Sequence, residues 1–134
     1  MAQIEHERYG FSVESPKSFD QAVASVKETL KKQGFGILSE IDVAATLKQK
    51  LDVEREPYLI LGACNPQFAH EALQTEEQLG LLLPCNVTIR RKDGKTLISA
   101  IDARTMMSVV ENNKLTEVAG EVNTRLQAAI GEAA

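Results

Sequence analysis

The chain has no tryptophan, two tyrosines, four phenylalanines, two cysteines and four prolines among 134 residues. Two cysteines allow one disulfide at most, which excludes the multi-bridge framework of small secreted domains. Four prolines exclude a proline-rich or collagen-like chain. No apolar run approaches the roughly 20 residues that span a bilayer, so no membrane partner is expected. The polar start Met1-Ala2-Gln3-Ile4-Glu5-His6-Glu7 lacks the apolar region of a signal peptide. A cytoplasmic protein with reduced thiols is the expectation.

Clustered positive charge is also scarce. The net charge is −4, and the densest basic spots are Lys31-Lys32 and Arg90-Arg91-Lys92. Neither amounts to a phosphate-tracking stripe, so no nucleic-acid partner is expected. The chain has no G-x-x-x-x-G-K-[ST] loop, no G-x-G-x-x-G fingerprint and no G-x-S-x-G elbow. Its two histidines and two cysteines form neither C-x-x-C nor H-x-x-x-H. No metal site is therefore assigned from spacing. No cofactor or catalytic residue is assigned either, and enzyme status stays open.

What remains is ordinary globular material: 43% hydrophobic and 25% charged residues, enough for a core in one domain spanning 1–134, ordered from about 9 to 130. Tyr9, Phe11 and Val13 alternate with Gly10, Ser12 and Glu14, the period of a half-buried strand. Ser18 and Gln21 form a capping box for a helix carrying Phe19, Val23, Val26 and Leu30, closed by Gly34. Gly36 to Ile41 is a second strand, and Asp42 caps a short helix with Val43, Leu47 and Leu51 on one face. Tyr58 to Cys64 is apolar throughout and predicts a central strand buried on both faces. Asn65-Pro66 starts the next helix, since a side-chain cap precedes a residue with no N–H to lose.

Asn86–Arg91 and Thr96–Ile101 flank Asp93-Gly94, a hairpin signal. A short helical turn is expected around Met106 to Val110, with the two methionines filling a core gap. The last helix carries Leu115, Val118, Ala119, Val122, Leu126 and Ile130 at helical spacing. The fold class is α+β in the order β-α-β-α-β-α-β-β-α. The hairpin pair is antiparallel, and helical crossovers leave the other pairings open.

Three stretches in this order resemble one family: Gly34-Phe35-Gly36-Ile37-Leu38-Ser39-Glu40-Ile41-Asp42-Val43, Leu61-Gly62-Ala63-Cys64-Asn65-Pro66 and Leu83-Pro84-Cys85-Asn86-Val87. They are similar to the bacterial and archaeal family known as domain of unknown function 302. The likeness runs from about Tyr9 to Ile130. It implies helices packed on a mainly antiparallel sheet, on a TATA-binding-protein-like plan, and a homodimer. It implies no catalytic residue.

The meander implied by that resemblance brings the end of the Tyr58–Cys64 strand beside the start of the Asn86–Arg91 strand. Cys64, Asn65, Cys85, Asn86 and Asp102 then share one end of the sheet, with the Gly34-Phe35-Gly36 turn, His6 and Tyr9 nearby. These five residues are the candidate ligand-binding set. Each has a plainer reading. Cys64 and Cys85 suit small buried hydrophobes, Asn65 and Asp102 suit helix caps, Asn86 suits a loop, and His6 suits a frayed terminus. The leading functional expectation is a non-catalytic small-ligand-binding or interaction module. The alternative is a thiol-based redox or metal-handling protein using Cys64 and Cys85. A third reading is a structural subunit of a larger complex.

Overall fold

A computed structural model describes residues 3–134; Met1 and Ala2, part of the polar N-terminal stretch, lie outside the described residues. Strand β1 (Glu5–His6) turns into β2 (Gly10–Ser15), followed by helix α1 (Phe19–Lys32) and strand β3 (Gly36–Asp42). Helix α2 (Val43–Leu51), strand β4 (Tyr58–Cys64), helix α3 (Pro66–Thr75) and a 3₁₀ turn (Glu77–Leu81) come next. The chain ends with the hairpin β5 (Cys85–Lys92) and β6 (Lys95–Ile101), then α4 (Ala103–Ser108) and α5 (Leu115–Ala133).

Among the described residues six strands form one sheet in the order β1-β2-β6-β5-β4-β3, and every neighbouring pair is antiparallel. The fold is thus α+β, as the sequence and the resemblance imply. Two features were not foreseen. The short strand β1 makes an edge of residues expected to fray, and a 3₁₀ turn precedes Leu82.

Local sequence sets the helix boundaries. Ser18 accepts from the Gln21 amide while the Gln21 side chain accepts from the Ser18 amide, so the capping box is complete. At the other end of α1, Gly34 takes φ +86°. Its N–H bonds to the Lys31 carbonyl and the Phe35 N–H to the Leu30 carbonyl, the paired bonds of a left-handed glycine stop. Asp42 and Asn65 cap α2 and α3 through their side-chain oxygens.

Helices α1 and α5 pack on each other and on one face of the sheet. Across that face run the rows Val13–Ile98–Ile89–Leu59 and Phe11–Ala100–Val87–Leu61. They meet Val26 and Leu30 of α1 and Leu115, Val122, Leu126 and Ile130 of α5 in one buried cluster. The opposite face carries Glu14–Leu97–Arg90–Tyr58 and Ser12–Ser99–Thr88–Ile60–Ile41. Among the described residues neither α1 nor α5 covers these rows, and α2 packs against β4.

Strand β4 therefore corrects one expectation. It lies next to the outer strand β3, and only Leu61, Gly62 and Ala63 are buried. Its apolar run misled because Tyr58 and Ile60 face the uncovered side. The apolar Leu79–Leu83 segment is turned mostly inward. Leu79 is buried and Leu82 and Leu83 pack against the core, which leaves Leu81, 81% exposed, as its outward residue.

Candidate functional site

Antiparallel pairing gathers the chemistry-bearing residues at one end of the sheet. Cys85 stands opposite Ala63, and Cys64 stands opposite Gly36, so the two thiols lie on adjacent strands one residue out of step. On the other side of β5, Val87 pairs with Ala100; continuing that register by two residues brings Cys85 level with Asp102. The Asp102 amide in turn donates to the Tyr9 carbonyl at 2.9 Å. This end holds two distinct arrangements, one polar and one apolar.

The polar corner is built on Asp102, which is buried and caps α4. Its Oδ1 accepts from the Arg104 and Thr105 amides at 2.9 and 3.3 Å and from Asn123 Nδ2 at 2.9 Å. Its Oδ2 lies 2.8 Å from His6 Nε2. Asn123 Oδ1 accepts from the Ala103 amide at 2.7 Å, so that side chain is used at both ends. Burial alone would push the Asp102 carboxyl up. Hydrogen bonds from Asn123, His6, Thr105 and Arg104 outweigh it and hold the group below its ordinary value. The His6 ring stacks on Phe11 with centroids 4.7 Å apart and stays 61% exposed.

The apolar cleft lies one strand away, between the ends of β4 and β5 and helices α3, α4 and α5. Cys64, Asn65, Cys85 and Met107 line it, with Phe35, Phe68 and Val122 among its apolar walls. Its open volume is about 30 Å³. That admits about one water and falls far below the few hundred cubic ångströms of an organic-ligand pocket. Both cysteines are free thiols. Burial pushes the Cys64 thiol up. Burial, and then the nearby Cys64, push Cys85 up to about 11.

Two glycines make this end possible. A Cβ at Gly62 would collide with Ser39 Oγ and Pro84 Cγ, so only glycine lets β3 and Pro84 close on β4. At Gly34, besides the positive φ, a Cβ would meet Asn65 Nδ2 at 3.0 Å.

Of the five candidate residues, Cys64, Asn65 and Cys85 share the cleft, and Asp102 belongs to the polar corner. Asn86 is exposed and lines a groove on the uncovered face instead, because it alternates with Cys85 along β5. Sequence reasoning missed Asn123, although a polar residue four positions after Ala119 within an apolar helical stripe is a usable signal. It treated Met107 as core filler and gave it no part in the site.

The class is now defined: an antiparallel meander backed by helices on one face, with a buried polar corner and a two-cysteine cleft at one end. The chain belongs to the family described as "Domain of unknown function DUF302", whose family model matches residues 11–133. It is similar to a solved structure described as "uncharacterized conserved protein DUF302 from Bacillus stearothermophilus". The identity is 26% and the TM-score 0.90, over 96% of this chain and 100% of the other. No curated protein matches the chain. Among the described residues, no helix is long and apolar enough to cross a membrane.

Proposed function

We propose that this chain is a non-catalytic interaction and ligand-binding module that pairs with a second copy of itself through the uncovered face of its sheet. The observation that carries this reading is the one-sided placement of α1 and α5. It leaves Tyr58, Ile60, Leu97 and Ile101 half-buried on the far face, beside Ile41, which is 48% exposed. Apolar side chains on an open sheet face are stabilised by a second layer. Charge on that face is divided, with Glu14 on β2 and Arg90 on β5 in one row, so a two-fold arrangement can set one copy's acid against the other's base. The same face holds a groove of about 400 Å³ bordered by Tyr9, Tyr58, Asn86 and Arg90. That is the size of a small-molecule site, whereas the cysteine cleft is not.

Light scattering at high micromolar concentration should give a dimer mass. Thr88→Lys, at the centre of the face, should convert it to monomer while leaving the helical circular dichroism intact. A wild-type chain that stays strictly monomeric would sink the proposal.

A further inference from the structure

Three sulfur-bearing residues line the cysteine cleft, Cys64, Cys85 and Met107. Met107 reaches it from α4, forty-three residues after Cys64, so no ligand spacing in the sequence announces the set. Among the described residues no group of three His, Cys, Asp or Glu side chains converges on a space for a metal. Here the third donor is a methionine.

We propose that Cys64, Cys85 and Met107 form a binding site for a single soft monovalent cation, Cu(I) or Ag(I). Three properties of the cleft select that class. No carboxylate or imidazole lines it, so hard cations and octahedral oxygen-loving ions find no ligand set. Zinc favours four nitrogen or sulfur ligands in its closed sites, and two thiols fall short of that. A soft ion accepts thiolate and thioether together at low coordination number. The volume of about 30 Å³ suits one ion and excludes an organic ligand. Cys64 is the half-exposed member and gives the ion its way in, while buried Cys85 and Met107 close the far side.

Binding is a plain exchange with no redox step. Each thiol that ligates loses its proton to solvent and forms a sulfur–metal bond in its place. Two protons leave and one positive charge arrives, so the loaded cleft carries one net negative charge, and the two sulfur–metal bonds offset the desolvation of the thiolates.

The test is an anaerobic titration of the full chain with Cu(I) supplied from a competing chelator, repeated with Ag(I) alone. One equivalent should bind, with proton release into weak buffer and a thiolate-to-metal absorption band in the ultraviolet. Cys85→Ala should weaken binding by more than the roughly 10–100-fold loss typical of an outer-shell partner. Met107→Leu, which conserves volume, should weaken it at least about tenfold while thermal unfolding stays unchanged. X-ray absorption on the loaded wild-type protein should show three sulfur neighbours. Wild-type affinity in Met107→Leu, a two-sulfur shell, or stoichiometry above one would each overturn the three-sulfur site. Thr88→Lys should bind the ion as wild type does, so failure here and failure of the self-association reading are separable.

Discussion

Asp102 of the polar corner and Cys85 of the cysteine cleft sit one strand apart, 5% and 6% exposed, yet burial has opposite outcomes in them. At Asp102, four donors converge on one carboxylate, and the charged form wins. At Cys64 and Cys85, the surrounding walls are mostly apolar, and the neutral thiol wins. Desolvation is common to both. The donors supplied by α4, α5 and β1 make the difference.

The sharpest way to break both regions at once is through the helix they share. Helix α5 supplies Asn123 to the corner and Val122 to the cleft, and Leu126 lies fully buried beneath them. Leu126→Ala should cost about 2–5 kcal/mol in chemical denaturation. A change below about 0.5 kcal/mol would mean that the helix layer is not the core it resembles.

Removing the charge from the corner should come next in size. Asp102→Asn keeps the volume but replaces acceptor capacity with donors, and should destabilise by about 1–3 kcal/mol at neutral pH. Because the folded carboxyl lies below its ordinary value of 3.8, its contribution is complete above that pH and disappears as pH falls through the lower, folded value. The gap between wild type and Asp102→Asn should therefore close below about pH 4. A gap that persists or widens there contradicts the hydrogen-bonded carboxylate.

The cleft should show the reverse limb. The Cys85 thiol is raised from 9.0 to about 11, so its stabilising neutrality is complete below pH 9 and is lost as pH rises through about 11. Wild type should lose stability relative to Cys85→Ala across that window. At pH 8, mass spectrometry after brief alkylation should find Cys64 labelled at least about tenfold faster than Cys85, because alkylation needs the thiolate and Cys85 is both buried and raised to about 11. Equal labelling would place Cys85 in solvent.

The smallest effect belongs to the exposed side of the corner. His6→Ala removes one hydrogen bond and a stacking contact on Phe11, and should cost about 0.5–1 kcal/mol. Protease sensitivity near residue 7 should rise with it, because β1 has only two residues. An unchanged digestion pattern would show that the strand is secured elsewhere.

Much of the frame was legible in short stretches. Ser18 with Gln21, Gly34, Asn65-Pro66 and Asp93-Gly94 each fix a local hydrogen-bond pattern that neighbouring residues alone can satisfy. The stripe from Leu115 to Ile130 needs no partner to be read, because 3.6-residue periodicity is a property of the chain itself. The Tyr58–Cys64 run was read as a strand but misplaced, since an apolar strand looks alike whether its second face meets a helix or stands uncovered.

Apart from β1 and the 3₁₀ turn, the sequence by itself determined the elements, their caps and the α+β class, because those depend on contacts within about ten residues. The tertiary structure alone decided that His6 and Asn123 complete Asp102, that Asn86 turns away from Cys85, and that Met107 joins the two cysteines. Each of those outcomes depends on strand register and on where α4 and α5 dock. Register is set by the packing of a whole face, and no local stretch of sequence carries it.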